Sequence, residues 1–251
     1  MTAIGAHVVL ATFVLFCRIG ACLMVMPGFS NPRVPVNIRL FLAFAITLAL
    51  TPLLSGSIEA SASEAAPIAL MLILVSEIGI GALIGVLGRA FFEALATLTN
   101  MIAMAIGLAS PLKGPMDESE PSPAVASLVA LAATTLFFLT DLHWEVLRGL
   151  VASYAALPVS AYFNPQFSLI QVSECLSKSF LIALRISSPF VIYSLIVNLA
   201  IALAAKLTPQ IPVYFISMPA VVAGGLFLLY VACKQFLEQF LAAFSTWLAT
   251  G

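Results

Sequence analysis

Long runs without a single charged residue recur along this chain and restrict its fold more than anything else in it. They cover Leu40–Ile58, Ala94–Leu112, Pro121–Thr140, Gly149–Ser173, Ile186–Ala205 and Leu207–Cys233. Two more apolar stretches each enclose one charge: Ile4–Met26 holds Arg18, and Ala66–Gly88 holds Glu77. A helix needs on the order of 20 apolar residues to cross a hydrocarbon layer about 30 Å thick, and these runs reach that length. Gly149–Ser173 is the weakest, because Pro158 and Pro165 interrupt it and Ser, Asn and Gln recur. The runs are continuous rather than alternating, which argues against a β-barrel. The pattern predicts an all-α integral membrane protein of six to eight hydrophobic helices in kinked hairpins. It reads as a single membrane-embedded domain over residues 1–251.

Composition closes off the soluble classes. Of 251 residues, 62% are hydrophobic and 8% charged, against about 45–50% and roughly 25% in an average soluble domain. So few charges cannot cover the surface of a soluble globule. Ten basic and eleven acidic residues leave a formal charge of −1, so there is no basic footprint for nucleic acid.

The first apolar stretch is read as a retained helix. No Lys or Arg precedes it, as a secretory signal would require, and Arg18 falls inside it. The IGAC string ending at Cys22 resembles a lipoprotein cleavage box, but the charge lies on the wrong side of it. Cys17, Cys22, Cys175 and Cys233 form no ligand spacing and sit in apolar surroundings, where free cysteine behaves as a small hydrophobe.

The information lies in the polar residues. Arg18, Glu77 and Arg185 lie within apolar stretches, and Glu93 and Lys178 near the ends of theirs. A charge at the centre of a spanning helix is costly and must face protein or water. Acids and bases fall on different segments in balanced number, which favours structural ion pairs over a proton or solute pathway. Gln171, Glu174, Lys178, Arg185 and Ser188 are spaced by three, four, seven and three residues, giving one helix a polar stripe. Such a stripe needs neighbouring helices or an aqueous lumen, and it points to a multi-subunit assembly. Pro189 is expected to kink or break that helix.

Between Pro111 and Pro123 the sequence PLKGPMDESEPSP is the one clear hydrophilic break. Its prolines, Gly114 and the acids Asp117, Glu118 and Glu120 beside Lys113 forbid a buried helix. On residues alone it reads as a solvated connector. Gly107–Ser110 just before it is small and suited to close backbone approach. Prolines also cluster at Pro27–Pro35 and Pro209–Pro219. Residues 234–250 form an amphipathic helix with Phe236, Leu237, Phe240, Leu241, Phe244, Trp247 and Leu248 on one side. Its polar face is not basic, so packing on a partner helix is preferred to lying in the membrane interface.

Catalytic patterns are missing. His7 and His143 are far apart with no carboxylate cluster at ligand spacing, and there is no phosphate loop, GxSxG or HExxH. Gly79, Gly81 and Gly85 in GIGALIG read as small-residue helix packing. Neither an enzyme nor a cofactor is expected. Lys and Arg are scattered singly, so the positive-inside rule sets no orientation.

Four stretches carry a resemblance to a known family. MPGFSNPRVPVNIRLFLAFAITLALTP has a proline-led loop, Arg39 and an apolar run closing at Pro52. SEIGIGALIGVLGRAFFEAL places Glu77, Gly81 and Gly85 in a Glu-x-x-x-Gly-x-x-x-Gly helix. The third runs from GLASP at Gly107 to LPVS at Leu157, with His143 and Trp144 between, and KLTPQIPVYFISMP carries Pro209 and Gln210. In order, spacing and total length the chain resembles the FliR family of flagellar type III export-gate membrane proteins. The central loop departs from many relatives in lacking an Asp-Pro pair.

The resemblance implies a structural and gating subunit without catalysis, at the flagellar basal body in the inner membrane. It would be assembled with FliP- and FliQ-like membrane proteins and other export-apparatus subunits into a helical cone crossed by unfolded export substrates. It turns the connector into a lumenal gating loop, with Gly107, Ser110, Lys113, Gly114, Asp117 and Glu118 as its candidate residues. Arg39, Glu77, Gly81, Gly85, Lys178, Arg185, Pro209 and Gln210 would serve packing within the assembly. The equivalent subunit of a virulence-type injectisome is the nearest alternative. A small secondary transporter, using breaks near Pro189 or Pro219 and a site at Glu77 or Arg185, is more distant.

Overall fold

The computed structural model describes residues 2–31, 34–62, 66–108, 124–159 and 165–250. Among them are seven helices and no strand: α1 (Thr2–Val25), α2 (Val36–Ala62), α3 (Pro67–Ala105), α4 (Ala124–Leu139), α5 (Leu142–Ala156), α6 (Pro165–Leu207) and α7 (Val213–Thr250). Five are long and apolar enough to cross a membrane, and α4 with α5, bent by 68° at Thr140–Asp141, makes a sixth candidate. The fold is that of an all-α membrane protein, with a helix count inside the expected range.

Helix boundaries follow prolines, glycines and caps rather than charges. Arg89 and Glu93 separate two of the apolar stretches, Ala66–Gly88 and Ala94–Leu112, yet α3 passes through both positions without a break. Charged long-chain residues have good helix propensity, so a charge ends an apolar run but not a helix. Pro67 opens α3 at the position where its missing N–H is not needed. Of the kink or break expected at Pro189, the break does not occur: α6 runs continuously past it, and α7 past Pro219. Residues 234–250 likewise form the end of α7 rather than a separate helix.

The chain packs as two units. The first comprises Met1–Phe91, Phe137–Ser177 and Leu248–Gly251. Its core is centred on α1, where Ala11, Val14, Leu15, Ile19 and Leu23 pack with Ala43 of α2, Ile73 of α3 and Tyr154 of α5. The second comprises Phe92–Leu136 and Lys178–Trp247, with Ala94, Leu98 and Ala183 clustered inside it. There Phe92 of α3 meets Phe240 and Phe244 of α7 edge-on, with ring centroids 5.3 and 5.7 Å apart. Phe236, Leu237, Phe240 and Phe244 are buried. The apolar stripe of the C-terminal segment therefore packs on a helix of its own chain.

Candidate functional site

A buried polar node ties α1, α3 and α5 together in the first unit. Arg18 of α1 and Glu77 of α3 form a two-pronged ion pair, Nε to Oε2 at 2.7 Å and Nη2 to Oε1 at 2.6 Å. Their side chains are 0% and 1% exposed. The planar guanidinium matches the carboxylate fork, which makes this geometry strong as well as directional. Nη1 also donates to the Ser153 hydroxyl at 3.1 Å, and Nη2 to the Leu157 carbonyl at 2.9 Å. The Tyr154 ring covers the guanidinium, its centroid 3.9 Å from Cζ, a favourable stacking of cation on aromatic face. The expected structural pairing of intramembrane charges is thus present for these two residues.

Glycines bring the two charge-bearing helices close enough to pair. A Cβ on Gly81 would land on the main-chain carbonyl of Arg18, and one on Gly85 would lie 2.8 Å from Val25 Cβ and 2.9 Å from the Cys22 carbonyl. Gly88 continues the seam, since a Cβ there would strike the Met26 sulfur. Spaced by four and three residues, the three lie on one face of α3 and allow backbone-to-backbone packing against α1. Reading the sequence had identified Gly81 and Gly85 but not Gly88, which continues their helical spacing.

Arg39 has a local task. Its Nη2 donates to the carbonyls of Asn31 (2.7 Å) and Val34 (2.9 Å), and Nε also donates to Val34 at 3.0 Å. The arginine closes the proline-led turn onto the start of α2. Gly28, in the same turn, has φ +89°, and a Cβ there would press on Phe137 and Phe138 at 3.2–3.3 Å.

Gly107 terminates α3. Its φ is +75°, its N–H bonds to the Met104 carbonyl (3.1 Å), and the N–H of Leu108 reaches back to Ala103 (2.9 Å). This paired arrangement closes many helices and favours glycine at the left-handed position. The helix end rests on α7 in the second unit: Ile106 occupies the space a Cβ on Gly225 would need. An L-residue in the left-handed conformation costs about 1–2 kcal/mol, so Gly107→Ala should lower stability by about that amount. Thermal unfolding in detergent measures it, and an unchanged Tm would show that the cap is dispensable. The other candidate loop residues, Ser110, Lys113, Gly114, Asp117 and Glu118, lie outside the described residues.

On α6, Glu174, Lys178, Arg185 and Ser188 are exposed and Gln171 is half-buried. The polar stripe faces outward from the chain and takes no part in the Arg18–Glu77 node. Pro209 and Gln210 sit in the exposed turn between α6 and α7, where the Ile211 N–H bonds to the Thr208 carbonyl at 3.1 Å.

Residues 9–247 match a protein family described as Bacterial export proteins, family 1. The chain belongs to this family. Among similar proteins is a Flagellar biosynthetic protein FliR of Caulobacter vibrioides, 29% identical over 86% of this chain and 85% of its own. A FliR of Escherichia coli is 24% identical over 84% of this chain and 80% of its own. Yop proteins translocation protein T of Yersinia pestis is 27% identical over 90% of this chain and 86% of its own. In this member of the bacterial export proteins, sequence reading had singled out both Arg18 and Glu77. It missed Ser153, Tyr154 and the Leu157 carbonyl, because nothing in the spacing of α5 marks residues that meet α1 only after folding.

Proposed function

We propose that this chain is a structural and gating subunit of a flagellar type III protein export gate, placed in the bacterial inner membrane beside FliP- and FliQ-like subunits. The observation that carries this reading, with the family match, is the size and apolarity of three helices. At about 1.5 Å per residue, α3, α6 and α7 with 39, 43 and 38 residues are close to twice as long as a hydrocarbon layer of about 30 Å is thick. Apolar side chains are nonetheless exposed along α6 and the first half of α7: Leu169, Leu181, Leu195 and Leu203 on α6, and Phe215, Phe227 and Tyr230 on α7. Lipid alone cannot cover such helices, whereas neighbouring protein subunits can. The transporter reading loses its helix breaks and one of its two candidate sites, since α6 and α7 are continuous and Glu77 is sealed by Arg18, and is left with the exposed Arg185. The injectisome reading keeps one specific support, the similarity to the Yersinia translocation protein.

The test is purification of the tagged chain from its host in mild detergent, with mass spectrometry of the proteins that stay bound. FliP- and FliQ-like proteins are expected, and their flagellar or injectisome identity decides between the two systems. A stable chain recovered alone would defeat the proposal. For the gating role, deleting Lys113–Glu120 is expected to raise ion leak or change export, while Glu118→Gln has a milder effect. Export and leak both at the original level in the deletion would end the plug reading.

A further inference from the structure

We propose that Arg185 is the docking point for a helix of another subunit that carries a carboxylate within an otherwise apolar contact. This rests on the export-gate reading and names the chemistry of one of its interfaces. Arg185 lies on the outward side of α6 and is exposed, its guanidinium without a hydrogen-bond or ion-pair partner among the described residues. The opposite side of the same helix is turned inward, with Ala183, Ile186, Ser187 and Phe190 buried.

Its immediate neighbours are apolar. Toward the N-terminus Leu181 and Leu184 are 64% and 56% exposed, and toward the C-terminus Ile192 and Leu195 are 56% and 70% exposed. Large apolar side chains flank the guanidinium directly on both sides, and the nearest exposed charge on its stripe is Lys178, two turns toward the N-terminus, which has the same sign and cannot pair with it. An unpaired guanidinium among lipid tails is costly in turn. The surface is therefore complementary to a helix that is apolar above and below one acidic residue. Arg18 shows the same chemistry solved inside the chain, by Glu77. Ser188, three residues on and also exposed, keeps its hydroxyl on the Arg185 main-chain carbonyl at 2.8 Å, so the guanidinium alone is offered to the carboxylate.

The test uses the full chain in its host with its partner subunits present. Wild-type chain, Arg185→Gln, Arg185→Glu and Arg185→Lys are purified in mild detergent, and the co-purifying membrane subunits are quantified. Recovery of those subunits is expected to fall about thirtyfold or more for Gln and Glu, the scale for stranding a buried partner charge. Lys should retain most of it. Because Arg185 is exposed, the yield of the chain itself should not change. Selection for restored export in Arg185→Glu should return an Asp or Glu changed to Lys or Arg in a helix of a partner subunit. Wild-type recovery in Arg185→Glu would overturn the inference and place the residue on a lipid or water surface. Intact recovery with lost export in Arg185→Gln would also overturn it, in favour of a residue lining the export path. A wild-type chain that retains no subunit would refute the export-gate reading itself, and the docking point with it.

Discussion

Glu77→Leu is expected to be among the most damaging single substitutions in this protein. It leaves the Arg18 guanidinium buried with only the Ser153 hydroxyl, the Leu157 carbonyl and the Tyr154 ring around it. Removing one partner of a buried ion pair costs about 3–5 kcal/mol, most of it the penalty of the charge left behind. A large part of the stability of a typical domain, about 5–15 kcal/mol, would go with it. The double variant Arg18→Met with Glu77→Leu should recover much of the loss, since no charge then remains unpaired. Thermal unfolding of the four proteins of this cycle in detergent yields the coupling directly. Equal Tm values for Glu77→Leu and wild type would mean that the node contributes nothing. The defect should appear as failed assembly before any change in conduction. An intact Glu77→Leu complex that no longer exports would instead assign the pair to a pathway.

Gly81→Ala is expected to come close to this effect although it adds a single methyl group. That methyl would occupy the position of the Arg18 carbonyl, a backbone atom that cannot rotate away. Overpacking a well-packed contact costs about 1–3 kcal/mol when side chains can adjust, and here α1 and α3 must separate. Their separation would also lengthen the Arg18–Glu77 contacts, so the two losses are coupled. Gly149→Ala in α5 is the control, because nothing lies within 4 Å of its added Cβ. Exchanging that helical glycine for alanine should stabilise by about 0.5–1 kcal/mol. Tm values ordered Gly149→Ala, wild type, Gly81→Ala are the expected outcome. Gly81→Ala unfolding with or above wild type would show that the α1–α3 seam tolerates a wider spacing.

These two positions also show where local information stops. Glu77, Gly81 and Gly85 are legible as one helix face from their four-residue spacing alone, and so is the need of a charge in an apolar stretch for a partner. Which charge meets Glu77 is not legible. Arg18 and Arg185 are both single arginines in apolar stretches, yet one is sealed inside the first unit and the other faces out. The choice depends on packing between helices distant in sequence, with Ser153 and Leu157 supplying contacts 135 and 139 residues from Arg18. Phe236, Phe240 and Phe244 behave alike: their stripe is plain in the sequence, but the ring of Phe92 that receives it is not.

By itself the sequence determined the solvent, the class of fold and the faces of the helices, because hydropathy and the 3.6-residue period act locally and need no knowledge of neighbours. It also determined that the charges in apolar stretches require company, since the cost of a bare charge in a low-dielectric medium does not depend on topology. Only the tertiary structure decided that Glu77 meets Arg18 and not Arg185, that Phe92 receives the rings of Phe240 and Phe244, and that α1 and α3 touch at their backbones. Each of these is settled by contacts between segments far apart in the chain. Steric fit and pair geometry exist only once those segments meet.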